Sequence, residues 1–187
     1  NGNDTINGGA DNDTMIGGVG IDSLTGAGGT DEIRQSGVTA DQVLTNGQLT
    51  GQGPDTLATV ELASLAGHSA LLDAGGFTAS QGVTLAGTGA DDQTLVGSPA
   101  ADSLDAGAGS GDRLRSTADA NQTLTPTSLT SGAIIDTLAG FESASLTGGG
   151  SANLIDTTAF SGSVTLDGGL GNDTLAVKTG YKYVIIE

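Results

Sequence analysis

Aspartates recur at every ninth position from Asp4 through Asp13 and Asp22 to Asp31, and two residues after each stands an apolar side chain: Ile6, Met15, Leu24 and Ile33. In frame, the intervals read Gly8-Gly9-Ala10-Asp11-Asn12-Asp13-Thr14-Met15-Ile16, then Gly17-Gly18-Val19-Gly20-Ile21-Asp22-Ser23-Leu24-Thr25, then Gly26-Ala27-Gly28-Gly29-Thr30-Asp31-Glu32-Ile33-Arg34. A flexible acidic linker has no reason to keep an apolar residue in step with an acid through four units. The spacing therefore specifies a repeating structure. Residues two apart on a strand share a face, so the residue that follows each Asp by two turns into a core. The glycines supply tight turns through conformations that side chains resist.

The unit resembles the nonapeptide G-G-x-G-x-D-x-U-x of the RTX (haemolysin-type) calcium-binding repeats, in which U is a large apolar residue. The resemblance implies a loop of about six residues and a strand of about three, with two units to a turn of roughly 18 residues. Asp4 then stacks over Asp22 on one edge, and Asp13 over Asp31 on the other. Two carboxylates and several backbone carbonyls converge between stacked loops. Such a cage suits calcium, a hard cation that takes six to eight oxygen ligands. Stacked acids repel one another and the apolar ladder is thin, so residues 1–34 are expected to be largely unfolded without calcium.

Composition narrows the fold and the function. Thirty-three of the 187 residues are glycine, aromatics are nearly absent, and there is no Trp or Cys. A compact globule needs large side chains to fill its core, whereas a solenoid needs only a thin ladder of Leu, Ile and Val per turn. The net charge is −17, and the basic residues are Arg34, Arg113, Arg115, Lys178 and Lys182. Phosphate contacts need clustered Lys and Arg, so nucleic acid is excluded as a partner. No apolar run approaches the roughly 18 residues that span a bilayer. The lack of cysteine fits an exported protein that relies on calcium rather than disulfides. The chain opens in mid-repeat at Asn1 and closes on Tyr183-Val184-Ile185-Ile186, so it is expected to be part of a longer protein.

Beyond residue 36 a longer period of about 81 residues takes over. Asp31-Glu32-Ile33-Arg34 matches Asp112-Arg113-Leu114-Arg115, and Asp55-Thr56-Leu57-Ala58 matches Asp136-Thr137-Leu138-Ala139. Glu61-Leu62-Ala63-Ser64-Leu65 matches Glu142-Ser143-Ala144-Ser145-Leu146, and Val83-Thr84-Leu85 matches Val164-Thr165-Leu166. Leu71-Leu72-Asp73 with Phe77 matches Leu154-Ile155-Asp156 with Phe160, and the two phenylalanines are expected to plug the core. The short β-like segments lie among Gly, Asp, Asn and Ser clusters, and helical periodicity is poor. The expected architecture is all-β: a right-handed parallel β-roll over residues 1–34, then β-solenoid copies over 35–111 and 112–187.

Gly168-Gly169-Leu170-Gly171-Asn172-Asp173-Thr174-Leu175-Ala176 is the best single match to the nonapeptide. Gly87 to Leu95, which contains Asp91 and Asp92, is a degenerate unit with one extra residue, and Gly97 to Asp105 is another weak match that carries Asp102. The expected calcium ligands are therefore Asp4, Asp13, Asp22 and Asp31, joined by Asp173, Asp102 and Asp92. Asp55, Asp73 and Asp91 are spaced by 18 and could stack along one edge, whereas Asp136, Asp156 and Asp173 are spaced unevenly. For Asp55 and Asp136, capping of a loop is the preferred role.

One histidine, His68, among many Ser and Asp residues gives no triad and no zinc site. No enzymatic activity is expected. The longer copies resemble repeats of very large bacterial exoproteins with haemolysin-type calcium-binding segments. That resemblance implies an extracellular or cell-surface calcium-binding structural or spacer segment, of adhesin, matrix or exoprotein type. Two other functions fit the pattern: a carbohydrate-active β-helix module, or a self-assembling fibre subunit that uses the apolar tail from Tyr181 to Ile186. Calcium ions are the expected partner, with self-association or neighbouring domains of a longer chain beside them.

Overall fold

The computed structural model describes residues 1–79, 81–180 and 183–186. Among them the chain is all-β, without helix. It opens with β1 (Thr5–Gly9), β2 (Thr14–Met15), β3 (Ser23–Ala27) and β4 (Glu32–Val38). A three-strand excursion follows: β5 (Gln42–Thr45), β6 (Gln48–Leu49) and β7 (Asp55–Ala58). Single strands resume as β8 (Leu62–Gly67), β9 (Leu71–Gly76), β10 (Val83–Gly87), β11 (Thr94–Val96), β12 (Ser103–Asp105) and β13 (Arg113–Thr117). A second excursion comprises β14 (Gln122–Leu124), β15 (Ser128–Ser131) and β16 (Ile134–Ala139). The last strands are β17 (Ser143–Thr147), β18 (Leu154–Asp156), β19 (Ser163–Asp167), β20 (Thr174–Ala176) and β21 (Tyr183–Ile186).

Outside the two excursions, consecutive strands alternate between two parallel-rich sheets. One runs β1-β3-β7-β6-β5-β9-β11-β13-β17-β19-β21, and the other β2-β4-β8-β10-β12-β16-β15-β14-β18-β20. The architecture is consistent with a β-roll. Pairing is in register, so like residues stack. Ile6, Leu24 and Leu57 form one apolar ladder, and Leu72, Leu95 and Leu114 another. Leu65, Leu85, Leu104 and Leu138 line up in the opposite sheet. These leucines, joined by Phe77 and Phe160, form one continuous buried cluster, against which the partly buried Ile6 packs. Each fully buried Leu contributes about 1.5–3 kcal/mol, so a core without Trp is assembled by repetition rather than by bulk.

Both excursions insert antiparallel strands. In the first sheet β7 pairs in parallel with β3 and β5 with β9, while β6 runs antiparallel to both β5 and β7. In the second sheet β16 pairs with β12 and β14 with β18, and β15 runs antiparallel between β14 and β16. The excursions therefore sit in opposite sheets.

This insertion breaks the expected ladder of Asp55, Asp73 and Asp91. Asp55 stacks under Asp22, its carboxylate accepting the Asp22 N–H at 2.9 Å. Asp73 instead lies within β9, beside Val96 of β11, and pairs with Arg115 at 2.9 Å. At the far end, β21 pairs in parallel with β19, from Val164 opposite Tyr183 to Asp167 opposite Ile186. Tyr181 and Lys182, which belong to the apolar tail of the sequence reading, lie outside the described residues.

Candidate metal centre

Each strand of the N-terminal coil follows directly on an aspartate, Asp4, Asp13, Asp22 or Asp31, which stands at the edge. Asp22 Oδ1 accepts the N–H of Asp4 at 2.8 Å, and Asp31 Oδ1 accepts that of Asp13 at 2.9 Å. The predicted stacking, Asp4 over Asp22 and Asp13 over Asp31, is therefore present as a carboxylate-to-amide ladder. Asp55 caps Asp22 in the same manner, and Glu61 Oε2 caps the Asp31 N–H at 2.9 Å. Each cap satisfies a backbone donor at the rim of the sheet, which is otherwise costly to bury.

The second oxygen of these carboxylates has a different environment. Asp22 and Asp31 are both 1% exposed, and in both Oδ2 is buried without a hydrogen-bond partner. Each Oδ2 faces the first glycine of its own loop, Gly17 for Asp22 and Gly26 for Asp31, where an added Cβ would collide with the carboxylate. The next position demands a left-handed backbone: φ is +90° at Gly18 and +79° at Ala27. The G-G-x-G-x-D pattern is thus explained locally. The first glycine leaves room for the carboxylate, and the second turns the loop.

Charge is not balanced from within the protein. Two ion pairs, Arg34 with Glu32 and Arg115 with Asp73, engage none of the four ladder aspartates. Burial pushes the carboxyls of Asp55 and Asp102 up, and that of Asp136 up to about 6. The backbone N–H bonds that these groups accept oppose the shift without cancelling it. A cation at the loop edges would relieve this desolvation. Among the described residues, no three Asp, Glu or His side chains cluster in a way that could hold an ion. A calcium ion here would therefore draw on one or two carboxylates and complete its six to eight oxygens with loop carbonyls. Oδ2 of Asp22 and of Asp31 fits that donor set.

The remaining predicted residues divide by environment. Asp4 is exposed and Asp13 half-buried, as the first members of their stacks. Asp102 caps Val83 through Oδ1, and its own loop also satisfies it: the Ser98 N–H donates to Oδ2 at 2.7 Å and the Ser98 hydroxyl to Oδ1 at 2.7 Å. Asp173 caps the Asn153 N–H at 2.8 Å and lies against Gly168, as Asp22 lies against Gly17. Asp92 does not hold the ladder position of its unit. Gln93 does, two residues before Leu95, and its N–H donates to Asp112 Oδ1 at 2.7 Å. Asp92 is exposed and packs near Gly111 instead.

Asp112, fully buried, is a ladder residue that the sequence reading did not select as a ligand. Its match to Asp31, two residues before Leu114, was the available signal. Its Oδ2 accepts the Gly109 N–H at 3.1 Å, and Glu142 caps its own N–H at 3.0 Å.

Stacked parallel turns with carboxylate-capped glycine loops define a class: a coil whose edges are suited to hard cations. Residues 1–33 and 87–110 match the RTX calcium-binding nonapeptide repeat, in four copies. The chain thus carries RTX repeats, and repeats of this family bind calcium. The matched stretches take in Asp4, Asp13, Asp22, Asp31, Asp92 and Asp102, while the Gly168–Ala176 unit lies outside them. No curated protein matches the chain.

Proposed function

We propose that this chain is a calcium-dependent structural segment of a secreted or cell-surface bacterial protein, of adhesin, matrix or exoprotein type. The observation that carries the reading is the pair of buried, unpartnered Oδ2 atoms of Asp22 and Asp31, each facing the first glycine of a matched loop. Calcium sits between stacked loops over residues 1–34, held by Asp4, Asp13, Asp22 and Asp31 together with loop carbonyls, and drives the folding of this stretch. Asp173 is the favoured additional ligand, because it keeps the glycine-faced geometry. Asp102 is a weaker one, because Ser98 already occupies both of its oxygens.

The rest of the chain is a β-solenoid in two copies, 35–111 and 112–187, with a period of about 81 residues. The placement of the excursions supports this reading. The first occupies one sheet and the second the other, so one copy is related to the next by an odd number of half-turns. The coil is right-handed, as parallel crossovers almost always are. The segment acts as an extracellular spacer without catalysis.

Isothermal titration calorimetry of the calcium-free chain tests the ligand set. The wild type is expected to bind several calcium ions. A variant carrying Asp4→Asn, Asp13→Asn, Asp22→Asn and Asp31→Asn should lose most of that heat. Equal calcium binding by the two proteins would remove residues 1–34 from the proposal.

A further inference from the structure

A cavity of about 660 Å³ lies away from the N-terminal ladder. It is bounded by the C-terminal ends of β9, β11 and β13 in one sheet and by β15 and β16 in the other. Leu104, Leu114 and Leu129 supply its apolar floor, and the Asp73–Arg115 pair stands in its wall. Ser131 and Asp136 are its other polar landmarks. The Ser131 hydroxyl is buried without a partner. Asp136 is 8% exposed, and its Oδ1 is committed to the Asp102 N–H at 3.0 Å, which leaves Oδ2 for a ligand.

The equivalent place beside the first excursion is filled. There Gln35 stands opposite Leu65, as Ser116 stands opposite Leu146 beside the second excursion. Gln35 and Val38 are buried, and they close on Gly51: a Cβ at Gly51 would meet Gln35 Oε1 at 2.8 Å and Val38 Cγ1 at 3.1 Å. Gly51 lies two residues beyond Leu49 of β6, as Ser131 lies two beyond Leu129 of β15. The second excursion thus has Ser116 in place of a buried glutamine, and an unpartnered Ser131 hydroxyl in place of a glycine. The space opened by these differences is lined by Ser116, Ala118 and Ser131.

We propose that this cavity is a binding site for a small amphiphilic amine, with its alkyl body on the leucine floor and its ammonium group at Ser131 and Asp136. An ammonium has three donors and no acceptor, which matches a carboxylate oxygen and an unpartnered hydroxyl. An anion meets a chain of net charge −17, and the cavity's one basic group, Arg115, is already paired with Asp73. A sugar finds no aromatic ring to stack on, since no aromatic residue lines the cavity. This inference does not depend on calcium at the N-terminal loops.

The test is a ¹H–¹⁵N NMR titration of the full chain in calcium, with hexylammonium, hexanol and hexanoate as probes. Saturable shifts for hexylammonium at the amides of Ser116, Ser131, Ile134 and Asp136, at least tenfold weaker for hexanoate and for hexanol, are expected. Ser116→Gln, which restores the filling residue of the first excursion, should weaken hexylammonium binding more than tenfold. Ser131→Ala, which removes only the hydroxyl, should weaken it about fivefold. The proposal is overturned if hexylammonium gives no saturable shifts at these amides. Equal response to the three probes, or wild-type affinity in Ser131→Ala, overturns it as well.

Discussion

Replacing Asp22 with Asn separates the two jobs assigned to its carboxylate. Asn keeps an oxygen that can accept the Asp4 N–H, now bonded at 2.8 Å, so the structural cap survives. What disappears is the charge: Nδ2 takes the place of the buried, unpartnered Oδ2 and finds no partner there either. A buried polar atom without a partner costs about 1–3 kcal/mol. In chelator, where residues 1–34 are expected to be largely unfolded, Asp22→Asn should leave the exchange of the β1 and β3 amides unchanged. In calcium the variant should be less protected. A site filled at 100 times its Kd contributes about 2.7 kcal/mol, and a variant that cannot bind the ion loses that amount. In calcium, Asp22→Ala also loses the cap, which adds about 1 kcal/mol of destabilisation. Hydrogen exchange at the Ile6 and Leu24 amides reads both effects. Equal losses for Asp22→Asn in calcium and in chelator would refute the separation and leave Asp22 with a purely structural role.

Further outcomes follow from the same loops. Ala27 holds φ at +79° where the preceding unit has Gly18, so Ala27→Gly should stabilise the chain by about 1 kcal/mol, read as a higher urea midpoint. A Cβ at Gly26 would collide with the Thr59 carbonyl oxygen and with Asp31 Oδ2, so Gly26→Ala should cost about 3 kcal/mol and raise the calcium concentration needed for half-maximal β signal. Asp119 accepts the Ser151 N–H, and this bond holds its carboxyl below the usual range. A depressed folded-state value means that the stabilisation is present above the unfolded-state value, near 3.9, and is lost as pH falls through the folded one. Exchange protection of the Ser151 amide should accordingly drop on acidification below about pH 4 in the wild type and stay flat in Asp119→Asn.

Much of the N-terminal coil was legible because one nine-residue rule sets both faces of the structure. Asp at the edge and an apolar residue two positions later predict the Asp22 cap and the Leu24 ladder together. Phe77 and Phe160 likewise proved buried. The excursions were not legible. Strands of two to four residues such as β5 and β6 carry no period of their own, and antiparallel pairing leaves no mark at the scale of the repeat. That insertion shifted the register, so counting by 18 placed Asp73 in a ladder when it lies beside Arg115. At Gly87–Leu95 the extra residue drew attention to Asp92. Counting back two from Leu95 identifies Gln93 instead. Glu61 and Glu142 were matched as equivalent repeat positions but not read as caps, because the nonapeptide template asks for aspartate, whereas a side chain one methylene longer still reaches the amide it caps.

Far-UV circular dichroism of the full chain during a calcium titration, with magnesium and chelator controls, tests the central claim most directly. The account predicts a cooperative gain of β signal with calcium, within roughly the 0.1–1 mM range of extracellular modules, and little response to magnesium. A complete β spectrum in chelator that calcium leaves unchanged would contradict it.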